Sequence, residues 1–167
     1  MSTFVSVGNS KQSFHRLLVQ IPKIQEILPK PIIIQKGVTS FSSNTFEVYD
    51  FLDNKFFQKT IKNSKLVITH AGAGTMLNAI NAGKLPLVVP RLKKYNEIID
   101  DHQIEIAQCL EEKGKVILVM DPKYLKVSIK KWQYFEEKFK SKKESSTNQL
   151  EKYLLRVFEN ENNKYQN

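Results

Sequence analysis

The sequence predicts a doubly wound α/β domain built on a parallel sheet of about five or six strands. Continuously apolar runs such as Leu66-Val67-Ile68-Thr69 and Leu87-Val88-Val89 have the pattern of strands buried on both faces, not the alternation of a half-exposed sheet. Between such runs lie stretches whose apolar residues recur every three or four positions, as they do on helices. The two kinds of segment alternate along most of the chain, which places helices on both faces of one sheet.

Phe4-Val5-Ser6-Val7 reads as the first strand, stopped by Gly8-Asn9. Phe14, Leu17, Leu18, Ile21 and Ile24 then recur at helical spacing, with Ser13 as the expected N-cap. Pro29 and Pro31 close that helix before a second strand, Ile32-Ile33-Ile34, and a polar loop leads to a weak strand around Phe46 to Tyr49. Residues 53–63 read as a helix with Phe56, Phe57 and Ile61 as its stripe. The buried-type strand Leu66 to Thr69 is followed by a loop, His70-Ala71-Gly72-Ala73-Gly74, and a helix expected over 75–82 that ends at Gly83. Leu87-Val88-Val89, a helix over 100–113 and a last strand over 116–120 complete the sheet. From Pro122 a long basic helix carries Leu125, Ile129, Trp132, Phe135 and Phe139. The organisation expected is therefore a domain over 1–140, a linker over 141–149, an amphipathic helix over 150–159 and a polar tail over 160–167.

Composition narrows the class. The 167 residues, 41% hydrophobic and 26% charged, suit one soluble domain with a real core. No run approaches the ~18 consecutive apolar residues of a membrane helix, and the first nine residues hold no Lys or Arg, unlike a signal peptide. One cysteine, Cys109, makes no internal disulfide, and a cytoplasmic setting is the simplest expectation. The net charge of +9 is uneven: between Pro122 and Lys143 eight lysines face only Glu136 and Glu137. Such a face points to an anionic partner or to simple solvation. Nucleic acid is not expected, because no recognised motif interleaves base-stacking aromatics with these charges.

Ligands of doubly wound sheets bind at the carboxyl ends of the strands. Three segments expected on that edge carry unusual residues: Gly8-Asn9, His70 to Thr75, and Arg91 to Gln103. In the second, Gly72 and Gly74 allow close backbone approach, and a helix opening at Thr75 turns free amides and a positive dipole end toward a phosphate. A tight strand-to-helix turn with no ligand would use the same residues. The segment is neither a dinucleotide fingerprint, since a third glycine is missing, nor a Walker loop, since Gly83-Lys84 is followed by Leu85. In the third segment, Arg91, Lys93 and Lys94 are candidates to neutralise a diphosphate and Gln103 to bond sugar hydroxyls. Asp101 and His102 open a helix there, where a structural role serves as well as ligand contact.

Three stretches in order, 67–75, 82–91 and 101–107, resemble the glycosyltransferase family 28 C-terminal domain. Within that family the chain is similar to small donor-binding subunits of two-component transferases. One branch serves bacterial capsule and exopolysaccharide assembly; the other is the eukaryotic subunit that adds N-acetylglucosamine to a dolichol-linked acceptor. The segment 89–108 looks closer to the bacterial branch, and His70-Ala71-Gly72-Ala73-Gly74 is shared with the eukaryotic one.

The resemblance implies the donor-binding half of a GT-B glycosyltransferase. UDP-sugar (galactose or N-acetylglucosamine) would be its substrate, without a cofactor, and no Asp-x-Asp motif calls for a metal. A membrane-anchored acceptor-side subunit and a polyprenyl-diphosphate-linked saccharide would be the partners, so the chain would sit at the cytosolic face of a membrane. Gly8, Asn9, His70, Ala71, Gly72, Ala73, Gly74, Thr75, Asn78, Arg91, His102 and Gln103 would form the donor site, with Asn78 near the ribose and His70 as catalytic candidate. Departures from the family pattern are Asn78 where an acid is frequent, Asn9 where Thr is, and His15 where Asp is. A non-catalytic subunit that stabilises a partner transferase is the alternative.

Overall fold

A computed structural model describes residues 2–141, apart from the side chains of His102 and of the last five residues. The expected linker beyond Ser141, the 150–159 helix and the tail lie outside the described residues. Six parallel strands form one sheet: β1 (Ser2–Ser6), β2 (Ile32–Gln35), β3 (Glu47–Tyr49), β4 (Ser64–His70), β5 (Leu87–Val89) and β6 (Ile117–Leu118). Their spatial order is β3-β2-β1-β4-β5-β6. The chain therefore runs outward from β1 to one edge, returns, and runs from β4 to the other edge. The switch point between β1 and β4 opens a crevice where such sheets take their ligands.

Helices cover both faces, as the buried strands require. Alternate residues of each strand divide between them. Val5 and Val7, Leu66 and Ile68, and Leu87 and Val89 pack with Phe14, Leu17 and Leu18 on one side, joined by Leu125, Ile129 and Trp132. Apart from Phe14, just before it, these come from α1 (His15–Leu18) and α6 (Leu125–Ser141), and Ile21 and Ile24 of α2 (Ile21–Ile24) join the same cluster. On the other side Phe4 and Val67 meet Ile61 of α3 (Asn54–Asn63) and Ala79 of α4 (Ala73–Asn81), while Val88 meets α4 and α5 (His102–Glu112). Trp132, a candidate for partner or membrane contact by sequence, is only 1% exposed and is a core residue.

The differences from expectation have local causes. The single helix expected over 14–24 is two short ones, because Pro22 lacks an N–H and its ring crowds the carbonyl of Leu18, where α1 ends. Ser13 does not cap α1: its carbonyl is taken by Arg91, and the Phe14 amide instead donates to Thr39 Oγ1 at 2.9 Å. Asp53 does cap α3, its carboxylate accepting from the Phe56 amide at 2.9 Å. The last strand shrinks from 116–120 to two residues, since its neighbour β5 has only three between Pro86 and Pro90.

Candidate functional site

The site begins with where the β1 and β4 chains turn. After β1 the backbone reverses at Gly8, whose φ of 76° lies in the left-handed region that favours glycine. Gln35, at the end of β2 and buried, fixes that turn by donating to Asn9 Oδ1 at 3.0 Å and to the Gly8 carbonyl at 3.4 Å. Its own oxygen accepts from the Leu52 amide at 3.3 Å. One side chain thus ties the Gly8-Asn9 turn to the segment entering α3.

After β4 the chain enters α4 two residues earlier than the sequence implied. Gly72 is the N-cap, with no side chain capping it, and the first intrahelical bond runs from the Met76 amide to the Gly72 carbonyl at 3.0 Å. The amides of Ala73, Gly74 and Thr75 therefore form the open first turn, where a helix has no internal acceptors. Thr75 sits inside that turn and does not cap it.

Between the two turns stands the His70 imidazole. A Cβ on Gly8 or on Gly72 would fall within 3.0 Å of the ring. Gly72 has an ordinary φ of −73°, so its lack of a side chain serves the ring alone. Gly74 is different: a Cβ there meets nothing within 4 Å. The residues together line an open cleft of about 520 Å³ at the switch point: Gly8, Asn9, Gln35, Leu52, Asn54, Phe57, His70, Gly72, Ala73, Gly74, Thr75 and Asn78. That size suits a small-molecule ligand.

No Lys, Arg, Asp or Glu is among those lining residues. An anion entering the cleft would be met by the amides and positive dipole end of α4. The model of the glycosyltransferase family 28 C-terminal domain matches residues 4–156. The chain belongs to that family.

Relatives agree in part of their length. The UDP-N-acetylglucosamine transferase subunit ALG13 of Homo sapiens is 35% identical over 101 residues, 60% of this chain and 8% of that protein. The subunit of the same name from Yarrowia lipolytica is 37% identical over 87 residues, 52% of this chain and 39% of that protein. The chain thus spans well under half of these relatives. Among solved structures, Acinetobacter baumannii MurG matches with a TM-score of 0.59 at 20% identity, over 89% of this chain and 48% of that one. The calicheamicin glycosyltransferase CalG4 matches with a TM-score of 0.61 at 16% identity, over 93% of this chain and 43% of that one. The fold of this family 28 domain is accordingly that of one half of a GT-B glycosyltransferase.

Of the residues singled out by sequence, the cleft of the family 28 domain gathers Gly8, Asn9, His70, Gly72, Ala73, Gly74, Thr75 and Asn78. Ala71 is adjacent but fully buried, packing with Met76 and Val88. Arg91 is a correction. It is 1% exposed, and its guanidinium is turned into the domain, with Nη2 donating to the Val7 carbonyl at 2.8 Å and Nε buried without a hydrogen-bond partner. Its Nη1 donates to the carbonyls of Gln12, Ser13 and Glu97 at 2.9, 3.2 and 3.1 Å, and the group stacks over the Phe14 ring. It braces the Gly8 turn from beneath instead of touching a ligand. Lys93 and Lys94 are exposed and lie outside the cleft lining, and the Asp101 carboxylate accepts from the Lys93 amide at 2.8 Å.

Gln103, in the first turn of α5, is not among the lining residues, and the expected role of His102 rests on a side chain outside those described. Gln103 does hold a buried Oε1 with no hydrogen-bond partner. Sequence reasoning missed Gln35, Leu52, Asn54 and Phe57, which reach the cleft from the β2 and α3 side, with no motif to mark them.

His70 is electrostatically unusual. Burial first, and the nearby Arg91 charge second, push its pKa down to about 4. Thr69 Oγ1 donates to the Ser6 carbonyl at 3.2 Å and so faces His70 Nδ1, 3.4 Å away, as an acceptor. The network assigns the neutral tautomer with its proton on Nδ1, leaving Nε2 as an acceptor. Such a ring suits holding a hydroxyl in place; as a proton acceptor near neutral pH it is weak.

The unfolded chain binds this proton at about 6.5 and the folded one only at about 4, so His70 leaves stability intact above 6.5 and erodes it as pH falls toward 4. The loss amounts to at most ~1.4 kcal/mol per pH unit. Urea midpoints of the wild-type chain should fall across that window, and a His70→Asn variant should show a flatter profile; equal slopes would count against a buried neutral ring.

Proposed function

We propose that this chain binds a UDP-sugar and forms the donor half of a glycosyltransferase whose acceptor half lies on another polypeptide or elsewhere in a longer one. The observation that carries this is the open first turn of α4 at the switch-point cleft, uncrowded by charge and fronted by the two glycines that admit His70. The amides of Ala73, Gly74 and Thr75 hold the diphosphate, and Asn78, one turn on, lies where ribose hydroxyls would be reached. Negative charge grows on the UDP leaving group as the glycosidic bond to it breaks, and the amides and dipole of α4 stabilise that charge. The buried Arg91 adds positive potential from beneath without contact.

His70 orients a hydroxyl through Nε2. The proton of the attacking hydroxyl goes to a base outside this chain, which fits the low basicity of His70. N-acetylglucosamine is the sugar favoured, since the relatives named above are UDP-N-acetylglucosamine transferase subunits. A lipid-linked saccharide is the acceptor class, and the chemistry needs no metal. The sheet edge around the cleft supports a facing half: Val38, Tyr49, Phe51, Tyr95, Ile99 and Met120, on segments at the carboxyl ends of the strands, leave large apolar side chains in solvent. Apolar side chains exposed along the sheet edge that carries a site are what a docking domain would cover.

Calorimetry of UDP and UDP-N-acetylglucosamine in excess chelator tests the reading. Ala73→Pro sharpens it. Ala73 is the first helical residue and follows an extended Gly72, the setting a proline accepts, so the fold persists while one amide donor disappears. A hydrogen bond to an anion is worth ~1.5–3 kcal/mol, so UDP affinity should fall at least ~10-fold with little change in melting temperature. An unchanged affinity would remove the amides from the binding site, and absence of any UDP binding by the chain and by its assembled complex would end the proposal.

A further inference from the structure

The solvent side of α6 has a composition that sets it apart from the other lysine-rich helix. Leu125, Ile129 and Trp132 are buried against the sheet. Opposite them Val127 is 67% and Tyr134 64% exposed, and Phe135 stands edge-to-face with Tyr134, ring centroids 5.1 Å apart. At ~100° per residue, Val127, Lys131 and Tyr134 form one outward stripe, flanked by exposed Lys126 and Lys130 on one side and Phe135 on the other. On α3, Lys55, Lys59 and Lys62 are exposed with no large exposed hydrophobic among them, as simple solvation requires. Solvation accounts for α3; it does not account for Val127 and Tyr134.

The mixture on α6 matches the boundary of a bilayer. Lysine stems extend along apolar surface while their ammonium groups stay in the polar layer, and tyrosine presents an apolar ring with a polar tip. The charge has the required sign: residues 122–143 hold eight lysines against two glutamates. We propose that this face of α6 binds an anionic lipid surface, with Lys126, Lys130 and Lys131 against headgroup phosphates and Val127, Tyr134 and Phe135 at the acyl boundary. The contact is distinct from the UDP cleft and does not depend on it.

Co-sedimentation of the full chain with phosphatidylcholine vesicles, with and without phosphatidylglycerol, tests this. Binding is expected to the anionic vesicles only, weakening with salt. A Lys126→Gln, Lys130→Gln, Lys131→Gln variant should partition at least ~10-fold less, since each lysine adds about a factor of five near such a surface. Val127→Ser with Tyr134→Ser should also bind less, and both variants should keep wild-type UDP affinity, so this contact and the donor site fail separately. Equal binding to neutral vesicles, wild-type partitioning by the lysine variant, or binding to nucleic acid but not to vesicles would each overturn the proposal.

Discussion

Gly72→Ala is expected to destabilise the domain by about 1–3 kcal/mol, the usual cost of forcing atoms into a filled space. The reason is steric and confined to one neighbour. Gly72 has a backbone any residue can adopt, but a Cβ there would lie inside contact distance of His70 Nε2, Cε1 and Cδ2. A double-mutant cycle isolates that cause. In a His70→Ala background the imidazole is gone, and adding the methyl at position 72 should cost little, giving a coupling energy of ~2 kcal/mol. Gly8→Ala should behave differently. It meets the same ring, but its φ of 76° imposes a further ~1–2 kcal/mol that removing His70 cannot relieve. Urea denaturation of the six proteins reads both effects; an equal penalty for Gly72→Ala with and without His70 would refute the account.

Arg91→Met should cost about 3–5 kcal/mol, more than any exposed lysine of the same chain. Four backbone carbonyls, of Val7, Gln12, Ser13 and Glu97, accept from its guanidinium in the interior and would lose their donor together. Glu97 would not be stranded, because Arg16 pairs with its carboxylate at 2.9 Å and the Leu92 amide donates to it at 3.0 Å. Arg91→Lys should recover only part of the loss, since one ammonium cannot reach carbonyls spread around a planar fork. Arg91→Met also removes the second-largest cause of the low His70 pKa, so the ring should titrate above about 4, and higher than in Arg91→Lys, which keeps a cation there. Denaturation midpoints and NMR titration of the imidazole would measure the two consequences in one set of variants. A His70 that titrates unchanged in Arg91→Met would show that the two groups do not interact.

The strongest sequence signals survived because they were local. Leu66 to Thr69 and Leu87 to Val89 could only be strands buried on both sides, and the alternation of strand and helix dictated a parallel, doubly wound sheet. The glycines between β4 and α4 marked the turn that became the floor of the cleft, although the helix opens at Ala73, two residues before Thr75. There the usual glycine signal misled: Gly74 fits the first turn of a helix as well as a loop. The amphipathic stripe of 14–24 was real, but Pro22 divided it.

The sequence by itself determined which segments are strands, which face water, and which turn carries the glycines, because hydrophobic period and backbone freedom are properties of neighbours along the chain. Only the tertiary structure decided the use of each polar group. Arg91 reads as a diphosphate ligand beside Lys93 and Lys94, yet the segments that follow β1 and β5 set the carbonyls of Val7, Gln12, Ser13 and Glu97 around it, and satisfying them buries it. Gln35, one residue past the expected strand Ile32-Ile33-Ile34, ends β2 and fastens the Gly8-Asn9 turn, while Asn54 and Phe57 enter the cleft from an element with no motif. Such roles depend on which carbonyl or ring arrives from as far as 84 positions away, and no local pattern encodes that arrival.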